Sequence, residues 1–189
     1  MFIQTQSTPN PLSLKFLPGQ EVSSSPVSFS EAEDSHTSPL AKALFKITDI
    51  VGVFYGKDFI TITKSETSSW DVLKPEILLT IMEHFDSGAP LFIETNKEHK
   101  DTEVLTTDSD IVAQIKEIIE HRVRPAVAGD GGDIIFHSFE DGVVKLELHG
   151  ACQGCPSSSI TLKNGIESML KHYVPEVESV EAVNNVEPY

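Results

Sequence analysis

Gly150-Ala151-Cys152-Gln153-Gly154-Cys155-Pro156 is the stretch on which the reading of this chain turns. It follows Val143 to His149, a strand pattern with Val144, Leu146 and Leu148 alternating onto one face. It precedes Leu162, Ile166, Met169, Leu170 and Tyr173, a stripe at helical spacing. Both cysteines therefore fall on a strand-to-helix turn that is expected to be exposed, beside a helix N-terminus whose backbone N–H groups favour thiolate. Thiolate is the form that ligates metal or attacks a disulfide. The spacing lets both sulfurs reach one metal centre, and Gly150 and Gly154 leave the loop free to fold around it. Inert cysteines are ordinarily buried among apolar groups, whereas this loop is polar and glycine-rich.

Upstream, Ile111, Ile115, Ile118 and Ile119 form one face of a helix with an N-cap candidate at Thr107 or Asp108, and Arg124-Pro125 is expected to end it. Gly129-Asp130-Gly131-Gly132-Asp133 lacks the G-x-G-x-x-G spacing, and its two carboxylates would repel phosphate, so it reads as a tight helix-to-strand turn. Ile134 to Phe139 then pairs with Val143 to His149 around Asp141-Gly142. Downstream, Pro175 stops the second helix and Val177 to Val183 is a last strand. Residues 108–189 thus read α-β-β-α-β, a three-stranded sheet covered by two helices.

Residues 1–93 form a second unit. Phe2 to Gln6 and Ser13 to Leu17 are short strands around Thr8-Pro9-Asn10-Pro11, and Ser23 to Ser38 reads as a loop. Leu40, Leu44, Phe45 and Ile47 mark a short helix, and Val51 to Tyr55 with Phe59 to Thr63 a hairpin around Gly56-Lys57-Asp58. Trp70 to Phe85 carries apolar residues every three or four positions and ends at Asp86-Ser87-Gly88. Residues 94–107 are almost wholly polar and read as a linker. The expected fold class is α+β, in two small domains.

The chain of 189 residues carries a formal charge of −15 with 39% hydrophobic residues, an ordinary globular composition. Such a charge argues against nucleic acid and anionic membrane as partners. No apolar run approaches the roughly 18–20 residues that span a bilayer. The opening residues lack a signal peptide pattern and the first arginine is Arg122, which is expected of a bacterial-type cytoplasmic protein. A mitochondrial matrix protein whose presequence has been removed is the alternative.

Two cysteines exclude a disulfide framework and leave a metal or cluster site or a thiol-disulfide redox pair. A thioredoxin-like enzyme has its Cys-x-x-Cys early in the fold, whereas only one helix and one strand follow Cys155. A zinc site or an iron-sulfur cluster needs about four ligands, so two sulfurs per chain suggest a site shared across a homodimer. His149 lies three residues before Cys152 and could complete a Cys2His zinc set, although a strand-end surface histidine is the simpler role. His121, His137 and His172 carry no spacing signal, and neither a P-loop nor a G-x-S-x-G elbow is present. No catalytic constellation is expected.

Taken in order and spacing, Arg124-Pro125, Asp130-Gly131-Gly132-Asp133-Ile134, the cysteine loop with Ser157-Ser158, Thr161-Leu162-Lys163, Gly165-Ile166-Glu167 and Val174-Pro175-Glu176-Val177 resemble a known signature. It is that of the Nfu-type (NifU C-terminal-like) iron-sulfur cluster scaffold and carrier family. Thr8-Pro9-Asn10-Pro11 with Leu14-Lys15-Phe16, and Phe54 with Asp58-Phe59-Ile60-Thr61-Ile62, resemble the N-terminal domain of two-domain Nfu proteins. The resemblance implies a non-enzymatic carrier of a 4Fe-4S cluster held between two subunits by Cys152 and Cys155 of each. It implies upstream cluster-assembly proteins as donors, recipient apoproteins as acceptors, and a recognition or regulatory role for the N-terminal domain. The cysteine count leaves no room for the IscU-like and ferredoxin-like domains of the nitrogen-fixation version.

Overall fold

The computed structural model describes residues 2–30, 34–93, 110–153 and 156–183, with backbone alone at 34 and 156–162. The fold is α+β, built on two sheets. In the first, β1 (Gln4–Ser7), β2 (Ser13–Leu17), β3 (Val27–Phe29), β4 (Ile50–Tyr55) and β5 (Ile60–Lys64) take the order β1-β2-β5-β4-β3 with every pair antiparallel. The segment read as a loop over Ser23 to Ser38 in fact holds β3, which pairs with β4, and a 3-10 turn at Asp34–Thr37. Its Ser and Pro content masked a strand of only three residues.

Helices α1 (Pro39–Leu44) and α2 (Trp70–Asp86) cover one face of this sheet. Ser38 starts α1 by accepting the Ala41 N–H at 3.2 Å and hydrogen-bonds the Tyr55 hydroxyl at 2.9 Å. Because side chains alternate along a strand, Phe16, Ile60, Ile62, Val53 and Tyr55 face Leu40, Leu44, Leu73, Ile77 and Ile81 in one apolar core. The intervening residues Ser13, Lys15, Phe54 and Thr61 point to the opposite face. An antiparallel sheet ordinarily leaves that face to water. Here Phe54 is 2% exposed, Lys15 7% and Thr61 not at all.

The second half covers that face. Its helix α3 (Asp110–Ile118) does not stop at Arg124-Pro125 as expected. A π-helical turn, Ile119–Val123, carries the rod into α4 (Arg124–Gly129). Pro125 has no N–H and would crowd the carbonyl one turn back. The widened turn accommodates it, with the Arg124 N–H reaching back five residues to the Ile119 carbonyl.

Gly131, with φ +83°, then turns the chain into β6 (Gly132–Glu140). Asp141 and Gly142, both at positive φ, close the hairpin to β7 (Val143–Gly150). Helix α5 (Pro156–Tyr173) returns the chain to β8 (Ser179–Ala182), which lies parallel to β7. Ile115, Ile119, Val127, Ile134, Leu146 and Leu170 lie in a second core, separate from the first. The order is the expected α-β-β-α-β. The linker and the candidate N-cap at Thr107 or Asp108 lie outside the described residues.

Candidate metal-binding loop

The loop begins where β7 ends. Gly150 sits at φ +64°, and a Cβ there would lie 2.7 Å from the Gly131 carbonyl oxygen and 2.9 Å from the Phe54 ring, so only glycine fits. The turn brings the Ala151 N–H to the Gly131 carbonyl at 3.1 Å and the Gln153 N–H to the Gly150 carbonyl at 3.1 Å. Cys152 is thereby folded inward. Its Sγ occupies the space a side chain at Gly132 would fill, 2.5 Å from where that Cβ would stand.

Contrary to the exposed turn expected for both thiols, Cys152 is 5% exposed and packs into the second core. Gly132 is the physical reason, a contact that the turn pattern of residues 129–133 does not by itself reveal. Cys155 and Gly154 lie outside the described residues, and Pro156 opens α5 immediately after them.

The strand behind the thiol is clamped. Arg124 donates from Nε to Asp133 Oδ1 at 2.9 Å and from Nη2 to Oδ2 at 2.8 Å, a bidentate pair, and from Nη1 to Glu120 at 2.6 Å. Asp133 is 4% exposed, and these bonds hold the Arg124 guanidinium's pKa above its ordinary value. His149 lies on the opposite side of β7 from Leu148, its Nε2 3.4 Å from Glu147, so the structure does not bring it to the cysteine. Among the described residues no three His, Cys, Asp or Glu side chains could hold a metal together. A groove of about 590 Å³ beside Lys116, His121, Arg124, Ile135 and Phe136 lies away from the loop.

Residues from the first half, unremarked in the sequence reading as site components, reach the same corner. Asn10 Nδ2 donates to the Ala151 carbonyl at 3.1 Å, and Thr61 Oγ1 donates to the Gly131 carbonyl at 2.7 Å. The Lys15 ammonium caps the end of α4 at the Ala128 carbonyl, 2.9 Å, and lies over the Phe59 ring at 4.1 Å. Burial pushes its pKa down, with Asp58 and Asp130 opposing.

The sequence of residues 3–88 matches the family model "Scaffold protein Nfu/NifU N terminal", and residues 115–181 match "NifU-like domain". The chain is 52% identical over 185 residues to the Drosophila persimilis "NFU1 iron-sulfur cluster scaffold homolog, mitochondrial" and spans 65% of that relative's length. It is 54% identical over 185 residues to "NifU-like protein 5, mitochondrial" of Arabidopsis thaliana, spanning 67% of its length. A solution structure of a NifU-like protein from Saccharomyces cerevisiae is 26% identical, covering 50% of this chain and 87% of that one, with a TM-score of 0.46.

Proposed function

The chain belongs to the Nfu family of NifU-like proteins, and from that membership we propose that it is an iron-sulfur cluster scaffold and carrier rather than an enzyme. The observation that supports the reading is the turn that glycines at 131, 132 and 150 shape around Cys152 at the end of β7, with Cys155 following in sequence just before α5. Each chain offers two thiolates, and a 4Fe-4S cluster takes four, so two subunits hold one cluster as cargo. Because the thiol of Cys152 is packed inward in the single chain, loading requires the loop to turn outward toward its counterpart.

The cluster comes from upstream assembly proteins and passes to recipient apoproteins. Relatives named as mitochondrial support the matrix over the bacterial cytoplasm as its compartment. In this reading residues 108–189 hold the cluster, residues 94–107 are the linker, and residues 1–93 serve recognition or regulation. No helix among the described residues is long and apolar enough to cross a membrane.

Anaerobic reconstitution with iron and sulfide tests the proposal. A brown product with about four iron and four sulfide per two chains is the expected result. A colourless protein retaining zinc, or a reversible Cys152–Cys155 disulfide with no cluster, would replace it with a zinc module or a redox protein.

A further inference from the structure

The middle of the first sheet's outer face, on β2, β5 and β4, is largely polar, yet it is as buried as a core. Thr61 is fully buried, Asn10 is 2% exposed and Lys15 7%, and each makes a hydrogen bond to a backbone carbonyl of the second half. A buried hydroxyl, amide or ammonium is costly without a partner, so these residues suit this contact and little else. The carbonyls they hold are not scattered. Ala151 immediately precedes Cys152, and Gly131 immediately precedes the glycine against which Cys152 Sγ packs. The Phe54 ring fills the space beside Gly150, and Thr8 Cγ2 lies 3.1 Å from a Cβ position at Gly131.

We infer that Asn10, Lys15, Thr61 and Phe54 form an intramolecular latch that positions the cysteine loop, holding the Cys152 thiol inward until the two halves separate. The latch rests on the carrier reading only in what the thiol is for. With the latch closed, the Gly131 and Ala151 backbones are pinned from outside as well as by their own 3.1 Å bond. With it open, the loop is held only by the second half's own contacts, which break as it swings toward a second chain. The residues around Thr8-Pro9-Asn10-Pro11 thereby acquire a role in controlling cluster loading.

The test is iodoacetamide labelling of the apo full-length chain in a Cys155→Ser background, where Cys152 is the only thiol. Thr61→Val keeps a β-branched strand residue and removes the hydroxyl, and Lys15→Met keeps the stem and removes the ammonium. When opening is fast relative to labelling, the rate follows the open population. Loss of one such hydrogen bond should raise it about 5-fold in either variant, and about 25-fold in the double variant if both act on one opening. Hydrogen exchange at the Ala151 amide should rise in parallel, while the β2–β5 amides stay protected. Equal labelling rates in folded variants overturn the latch. If Thr61→Val does not fold, Lys15→Met alone decides. None of these readouts needs a cluster, so a chain that loads normally but labels at unchanged rates refutes the latch alone, and a latched chain that never binds a cluster refutes the carrier reading alone.

Discussion

Cys152 shows how much a missing side chain can decide. Replacing either Cys152 or Cys155 by Ser should abolish cluster binding, since a shared site drops from four thiolates to two. Anaerobic iron and sulfide analysis reads that loss, and full occupancy in either variant would remove the residue from the ligand set. Ser at 152 places a hydroxyl in a site 5% exposed and should cost about 1–3 kcal/mol by thermal or denaturant melting. Gly132→Ala is a sharper probe. Its Cβ would stand 2.5 Å from Cys152 Sγ and 2.7 Å from the His149 carbonyl, which is backbone and cannot step aside. A loss of about 1–3 kcal/mol is expected, together with faster Cys152 alkylation as the thiol is pushed out. An unchanged melt and unchanged labelling would show that the pocket behind the thiol is slack. The motif and its spacing were legible in the sequence, but the burial of one thiol was not. That burial arises from Gly132 across the β6–β7 pair, a contact no local pattern encodes.

Among the elements, the joint between α4 and β6 carries the site. Arg124, at the start of α4, closes it on Asp133 of β6, and no other basic group is paired with that carboxylate among the described residues. Arg124→Met should therefore leave a nearly buried carboxylate unpaired. The expected cost is about 2–3 kcal/mol by denaturant melting, below the ~3–5 of a fully buried pair because the Arg124 side chain is 29% exposed. No change in stability would mean that water replaces the guanidinium freely.

Element identities were readable where the period was long and clean. Trp70 to Phe85 is α2 within one residue, and Ser13 to Leu17 is β2. Two readings failed because a local signal was overridden. Pro125 reads as a stop, yet a π-helical turn lets the rod continue, and the Ser-rich stretch after Val22 contains β3, fixed by pairing with β4 rather than by its own composition.

The whole molecule has two cores with a polar seam between them, and the seam was the least legible feature. Lys15 and Thr61 look like ordinary solvent-facing positions of alternating strands, and only the docking of the second half on that face gives them carbonyl partners. Separate cores predict that a fragment of residues 108–189 folds and binds a cluster, and that residues 1–93 fold without one. The buried seam predicts in addition that each fragment melts below the intact chain, since Phe54 and Thr61 become exposed. Circular dichroism melts of both fragments check this. Failure of the 108–189 fragment to fold would contradict the division, and melts equal to the intact chain would contradict a cohesive seam.

Whether one cluster is held by two chains decides the account most directly. Two chains of charge −15 repel, so the apo form should be a monomer and the shared cluster should supply what joins them. Native mass spectrometry of the full chain, before and after anaerobic reconstitution, reads both states at once. The predicted result is a single chain without metal and a dimer carrying one 4Fe-4S cluster, which returns to single chains when a chelator strips the iron. A cluster or metal ion retained by a single chain, or a dimer whose mass is the same with and without iron, would contradict the account.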